Sequence, residues 1–152
     1  VGTAPLRPEP IGSALELLRA LWAVNHALGA HSWRMKRRLG VTGVERMVVG
    51  HVGEHPGITP SELARFFHLH PSTLTAVLKR LVRRRVLLRR ADALDARRGR
   101  LTLAARGVAL DGIQKGTVEA RVRAALEGVA HGEIEAASAV LARVERALDA
   151  RG

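Results

Sequence analysis

The stretch TPSELARFFHLHPSTLTAVLKRLVRRR, residues 59–85, decides the fold. Thr59, Pro60 and Glu62 stand at the spacing of an N-cap, a first-turn proline and a capping glutamate, which starts a helix from Pro60 to about Phe67. HLHPS interrupts the pattern for only a few residues. Leu74, Val77 or Leu78, and Leu81 then resume an apolar stripe at helical spacing. Pro71 suits a first helical position, because the amide it lacks would have no partner there, and His70 or Ser72 is placed to cap it. Two helices therefore meet across a tight turn. Leu63, Ala64, Leu69, Leu74 and Val77 supply the packing, with Ala64 small enough for a close crossing.

The period changes from Val86. VLLRR is a strand candidate, ADALDARRG a turn and RLTL a second strand whose Leu101 and Leu103 alternate, which reads as a β-hairpin. Upstream, Ser13 with Glu16 opens a helix to about Ala30, carrying Leu15, Leu18, Leu21 or Trp22, Asn25 and Leu28. WRMKRRLG, residues 33–40, reads as a basic connector, and Thr42 with Glu45 opens a second helix over about 42–54. The last third predicts two alanine-rich helices, about 104–126 and 132–149, broken at Gly128 and Gly132. The fold class is mainly α with a small β-hairpin. Residues 1–10, rich in Pro and Gly, read as a flexible arm.

With 152 residues and 47% hydrophobic content, one domain with its own core is expected. Twenty-five Lys and Arg against fourteen Asp and Glu leave +11, a balance that favours an anionic partner. The absence of cysteine excludes disulfides and thiolate metal sites and is compatible with a reducing, cytoplasmic setting. The N-terminal residues do not form a secretory signal, and no window has the apolar length of a transmembrane span, so no membrane partner is expected. The charge is uneven along the chain. Lys79 to Arg100 holds ten basic and two acidic residues, whereas Glu119 to Arg151 holds six acidic and five basic ones.

A basic hairpin after two turn-linked helices has a direct physical use: the second helix can enter a DNA major groove while the first holds it at an angle. Away from its apolar stripe, the second helix carries Ser72, Thr73, Thr75 and Ala76, whose hydroxyls and methyl can reach base edges. Lys79 and Arg80 are assigned to the DNA backbone. In the hairpin turn, Arg97 or Arg98 is expected to reach a minor groove, with Asp95 orienting an arginine through a charge-assisted hydrogen bond. Aspartates would weaken a nonspecific phosphate magnet, so their presence points to placement of particular guanidinium groups.

SELARFFHLHPSTLTAVLKRLVRRRVLLRR and DALDARRGRLTLAARG together resemble the MarR-like winged helix-turn-helix transcriptional regulators, over residues 11–149. Asp92, Asp95 and Arg97 match the family's wing, and Leu101, Leu103 and Gly107 match the strand and helix entry that follow. The resemblance implies a winged helix-turn-helix region over 42–107 and dimerisation helices over 11–35 and 108–149. It implies a homodimer reading a pseudo-palindromic double-stranded operator, with a usual role as a repressor released by a small aromatic or phenolic anion. The chain departs from the family at three places. Arg85 stands where glycine is frequent, so a left-handed cap there is costlier or the turn is differently shaped. Ala96 replaces an arginine, shifting the wing contact to Arg97 and Arg98, and Ala104 replaces a helix-capping threonine.

Trp22, His26, Trp33, Arg34, Met47 and His51 would suit an effector cleft for a small hydrophobic anion, with Trp22 and Met47 equally at home in a core. His51 and His55 have the i,i+4 spacing of two metal ligands on one helix face, but scattered histidines account for the pattern more simply and no metal or cofactor is expected. No catalytic triad, phosphate loop or carboxylate pair is visible, which excludes an enzyme. Few aromatics argue against unstacked RNA bases as the target. The competing reading is a dimeric architectural or protein-interaction module without sequence-selective DNA binding.

Overall fold

The computed structural model describes residues 11–93 and 99–150, the side chain of Ile11 excepted. The elements run in the order α1 (Ile11–Leu39), α2 (Gly43–Glu54), α3 (Pro60–Phe67), α4 (Pro71–Arg83), β1 (Leu87–Ala91), β2 (Gly99–Leu103), α5 (Ala105–Asp111), α6 (Val118–Ala125) and α7 (His131–Asp149). The chain divides after Val118 into two compact units. The first holds α1 to α5 and the hairpin; the second is helical.

Three expected boundaries are corrected. The basic connector 33–40 is the end of α1, because Trp33 to Leu39 contains no breaker and is rich in Arg, Lys and Met, which sit well in helices. Lys36, Arg37 and Arg38 fall in the last turn, where the helix dipole favours cations. Gly40, at φ 78°, ends the helix, and its amide donates to the Lys36 carbonyl at 2.8 Å. The helix expected over 104–126 is instead α5 and α6. Between them lies a loop with Gly116 at φ 75°, and Arg38 donates to the Lys115 carbonyl at 2.8 Å. The other break falls at Gly128, at φ 80°, whereas Gly132 lies inside α7.

The core of the first unit gathers around α2. Val48, Val49 and Val52 are fully buried with Val41, Leu63, Leu81, Val86, Leu87 and Leu101. α2 starts at a capping box: Thr42 accepts from the Glu45 amide at 3.2 Å, and Glu45 Oε2 accepts from the Thr42 amide at 2.9 Å. Glu45 is itself buried, and its Oε1 accepts from Arg80 Nε of α4 at 2.9 Å. Arg46, also buried, donates to Asp111 Oδ1 at 3.2 Å and to the Asp111 carbonyl at 3.0 Å, tying α2 to the end of α5. The Gly43 amide donates to Ser32 Oγ at 2.7 Å, fixing α2 against α1.

The hairpin pairs β1 and β2 antiparallel, from Leu87 opposite Leu103 to Ala91 opposite Gly99. Ile58 adds a bridge to Leu101 on the outer side of β2. α4 hands over to β1 through a Schellman turn: the Val86 amide reaches the Leu81 carbonyl at 2.9 Å and the Arg85 amide the Val82 carbonyl at 3.0 Å. Arg85 takes φ 54°, so of the two expectations for this site the left-handed cap is the one realised, with arginine in the glycine position. Gly107 lies against this turn, where a Cβ would collide with the Val86 carbonyl oxygen. Ala104 gives α5 no side-chain cap, as its replacement of a threonine implies.

Two measurements check this account. Arg85→Gly should raise stability by about 1 kcal/mol in urea denaturation, since a β-carbon in the left-handed region costs about that much. Burial of Glu45 opposes its ionisation, but the Thr42 amide and the Arg80 guanidinium outweigh burial and hold its pKa below the ordinary glutamate value. Its native pKa being the lower one, Glu45 contributes stability above the ordinary value and loses it as pH falls toward the native value. Glu45→Gln should therefore lower the urea midpoint at neutral pH and flatten its decline on the acid side.

Candidate nucleic-acid interface

α4 separates its residues by face. Leu74, Val77, Leu78 and Leu81 are buried, whereas Ser72, Thr73, Thr75, Ala76, Lys79 and Arg80 are all exposed on the helix. The burial follows from α3, whose Leu63 is fully buried and whose Ala64 packs at the edge of the same core. The turn between the helices closes because His68 adopts the left-handed conformation, at φ 49°, directly after Phe67. Of the two capping residues the sequence left open, His70 is the N-cap: its Nδ1 accepts from the Ser72 amide at 3.3 Å and lies 2.7 Å from Ser72 Oγ. Ser72 is thus engaged locally, while Thr73, Thr75 and Ala76 present their groups outward. At the other end of α3, Thr59 and Glu62 form the expected capping box, and the Thr59 amide and hydroxyl hold the Glu62 carboxyl below its ordinary pKa.

Arg80, assigned to a backbone contact, has its Nε committed to Glu45, although 48% of its side-chain surface remains accessible. The hairpin has its own anchor. Asp92, with a side chain only 7% exposed, accepts from Arg100 Nε at 2.7 Å, and Arg100 Nη1 donates to the Gly57 carbonyl at 3.1 Å. An aspartate orienting an arginine is therefore present at Asp92 and Arg100. Asp95, Arg97 and Arg98, the residues assigned that part and the groove contact, lie outside the described residues.

Arg89 was not among the sequence candidates, yet it lines two clefts. One is bounded by Thr59, Pro60, Ser61, Arg65 and Arg100, the other by Thr75, Lys79, Val82 and Arg83. It joins the exposed face of α4 to the base of the hairpin. The available signal was its place two residues after Leu87 on a strand, set in an arginine-rich run.

The proposed effector set is placed less coherently. Trp22 and Trp33 are 69% and 59% exposed, Trp33 lies under the Arg37 guanidinium at 4.9 Å, and His26, Arg34 and Met47 are also exposed. His51 is drawn to α3 instead: its ring stacks on Phe66 at 3.8 Å and meets Phe67 edge-on at 5.4 Å. Burial and the nearby His55 hold its imidazole below the ordinary histidine pKa. Core packing, the alternative for Trp22 and Met47, is not what those two residues do in this unit, since both are exposed.

The MarR family model matches residues 39–98. No curated protein matches the chain. Among solved structures, the transcriptional regulator SlyA superposes with a TM-score of 0.70 at 23% identity, over 87% of this chain and 93% of that one. The S. aureus MepR–DNA complex gives 0.70 at 18% identity, over 86% and 96%. Streptococcus pneumoniae FabT in complex with DNA gives 0.63 at 21%, over 91% and 97%. The described residues share the fold of these solved structures, and the MarR family model falls on the part of the chain that carries α2, α3, α4 and β1.

Proposed function

We propose that the chain is a dimeric regulator of transcription that reads double-stranded DNA by sequence, acting as a repressor released by a small-molecule effector. One observation carries the reading: α4 turns its apolar stripe fully inward and leaves Thr73, Thr75, Ala76 and Lys79 together on its open face, beside the arginines of the hairpin. Short hydroxyl and methyl groups flanked by cations fit base edges between phosphates. MepR and FabT, which share the fold, were both solved with DNA. On this reading Thr73, Thr75 and Ala76 contact bases with Ser72 at the helix start, and Lys79, Arg80 and Arg89 contact phosphates. Arg97 and Arg98 act at the wing tip, and Asp95 orients them. The effector would be a small aromatic or phenolic anion.

Dimerisation through 11–35 and 108–149 is supported by apolar surface on each segment taken by itself. α1 leaves Leu15, Trp22, Val24 and Leu28 exposed, at 60%, 69%, 56% and 41%. α7 exposes Val140, Leu141 and Leu148. Apolar rows of this kind mark contact surfaces. A two-fold dimer places its recognition helices on half-sites about one helical turn apart, or a multiple of that, and so matches a pseudo-palindromic operator.

Selection from a randomised duplex library is expected to return a two-fold symmetric sequence, bound much more tightly than random duplex at every salt concentration. Equal affinity for all duplexes with one steep salt slope would replace regulation by an architectural role. Lys79→Ala should weaken binding to all duplexes alike and reduce the salt slope by about 1, whereas Thr75→Val should relax preference at particular positions. The paired change Leu15→Glu and Trp22→Glu is expected to shift the chain to monomer in analytical ultracentrifugation and to abolish tight binding to the full operator.

A further inference from the structure

The last turn of α2 reads HVGEH, residues 51–55; Val52 and the ring of His51 pack inward, and the ring nitrogens of His51 and His55 and the Glu54 carboxylate are used by neither the core nor the proposed DNA contact. His51, Glu54 and His55 fall at i, i+3 and i+4. Their ligating atoms all lie within 4.8 Å of one another, and the two imidazole centroids are 4.5 Å apart. Spacing alone left His51 and His55 as an incomplete pair; the structure adds the carboxylate of Glu54.

The surroundings favour a cation. Among the described residues, no hydrogen bond engages either imidazole ring or the Glu54 carboxylate. The three side chains stand where the helix presents its negative dipole end. His51 is held by its stack on Phe66, so one ligand is already oriented, while Glu54 and His55 are exposed and free to rotate toward it. Bonds of about 2.0–2.1 Å need ligand atoms about 3.3 Å apart, a closure that two surface rotamers can supply. His51 and His55 line an open cleft with Gly57, Glu62 and Phe66, leaving room for water as further ligands. Arg100 borders that cleft, but its guanidinium is committed to Asp92 and Gly57.

We propose that His51, Glu54 and His55 form a binding site for a divalent transition-metal ion of the zinc, cobalt or nickel type, two imidazoles and one carboxylate with the remaining positions open to water. Such a set suits those ions, and the lack of thiolates argues against Cu(I). The site touches the wing through the chain that follows it. His55 leads into Gly57, whose amide donates to the Leu101 carbonyl at 2.8 Å, and Ile58, whose carbonyl accepts from the Leu101 amide at 3.0 Å. A metal held by His55 therefore stiffens the strip that supports β2.

The test is a Co2+ titration of the full, tag-free chain, followed by its visible absorption, with Zn2+ as competitor. The expected result is a saturable band at one equivalent per chain that Zn2+ removes, together with a Zn2+-dependent rise in Tm. His55→Ala should weaken Co2+ binding by at least about tenfold and Glu54→Gln by less, while His131→Ala leaves it unchanged. His55 and Glu54 are exposed, so both variants keep the core intact. No saturable band, a band retained in full by His55→Ala, or one lost in His131→Ala would overturn the proposal.

Discussion

A helix buried on nearly all sides can keep a charge only if that charge finds a partner, and α2 keeps two. Glu45 and Arg46 are adjacent, both are buried, and they point to different neighbours: Glu45 to Arg80 on α4, Arg46 to Asp111 at the end of α5. An uncompensated charge at either place would cost several kcal/mol, on the order of 3–5. The apolar residues of α2 would accept several packing angles, since Val48, Val49 and Val52 offer a smooth surface. The two ion pairs do not. They fix how α4 and α5 sit on α2, and with α4 they fix the direction in which its open face looks.

The turn after α4 extends this constraint to the hairpin. Val86 is buried as it closes the Schellman turn, and its carbonyl accepts from the Ala104 amide at 2.9 Å. Gly107 is needed for α5 to pass that point. One backbone junction thus joins α4, the hairpin and α5, at the cost of holding Arg85 in a left-handed conformation. The Asp92–Arg100–Gly57 bonds then secure the far side of the hairpin to the segment before α3. The stem of the wing is therefore braced at both of its edges.

Much of this was legible because the signals were local. Thr42 with Glu45 and Thr59 with Glu62 announce capping boxes that form as read, and the stripe Leu74, Val77, Leu78, Leu81 announces the buried face of α4. Where the reading went astray, the deciding partner was distant in sequence or absent from the pattern. Charge made residues 33–40 look like a connector, although Arg and Lys extend a helix readily until Gly40 stops it. Apolar spacing carried the helix from 104 to 126, because the loop at 112–117 is held in part by Arg38 from far upstream. The stack of His51 on Phe66 likewise joins residues fifteen apart, which spacing along α2 does not announce.

By itself, then, the sequence determined where α2, α3 and α4 begin, which two segments pair as strands, and which face of α4 is apolar. These follow from backbone capping, proline and glycine geometry and periodicity, all of which act within a few residues. Only the tertiary structure decided which cations are spoken for and which stay open. Arg80 and Arg100 are engaged by Glu45 and Asp92, Arg89 faces two clefts, and Glu54 joins His51 and His55. The physical reason is that a charged side chain is several bonds long and pairs with whatever the fold brings within reach, which its neighbours in the chain do not specify.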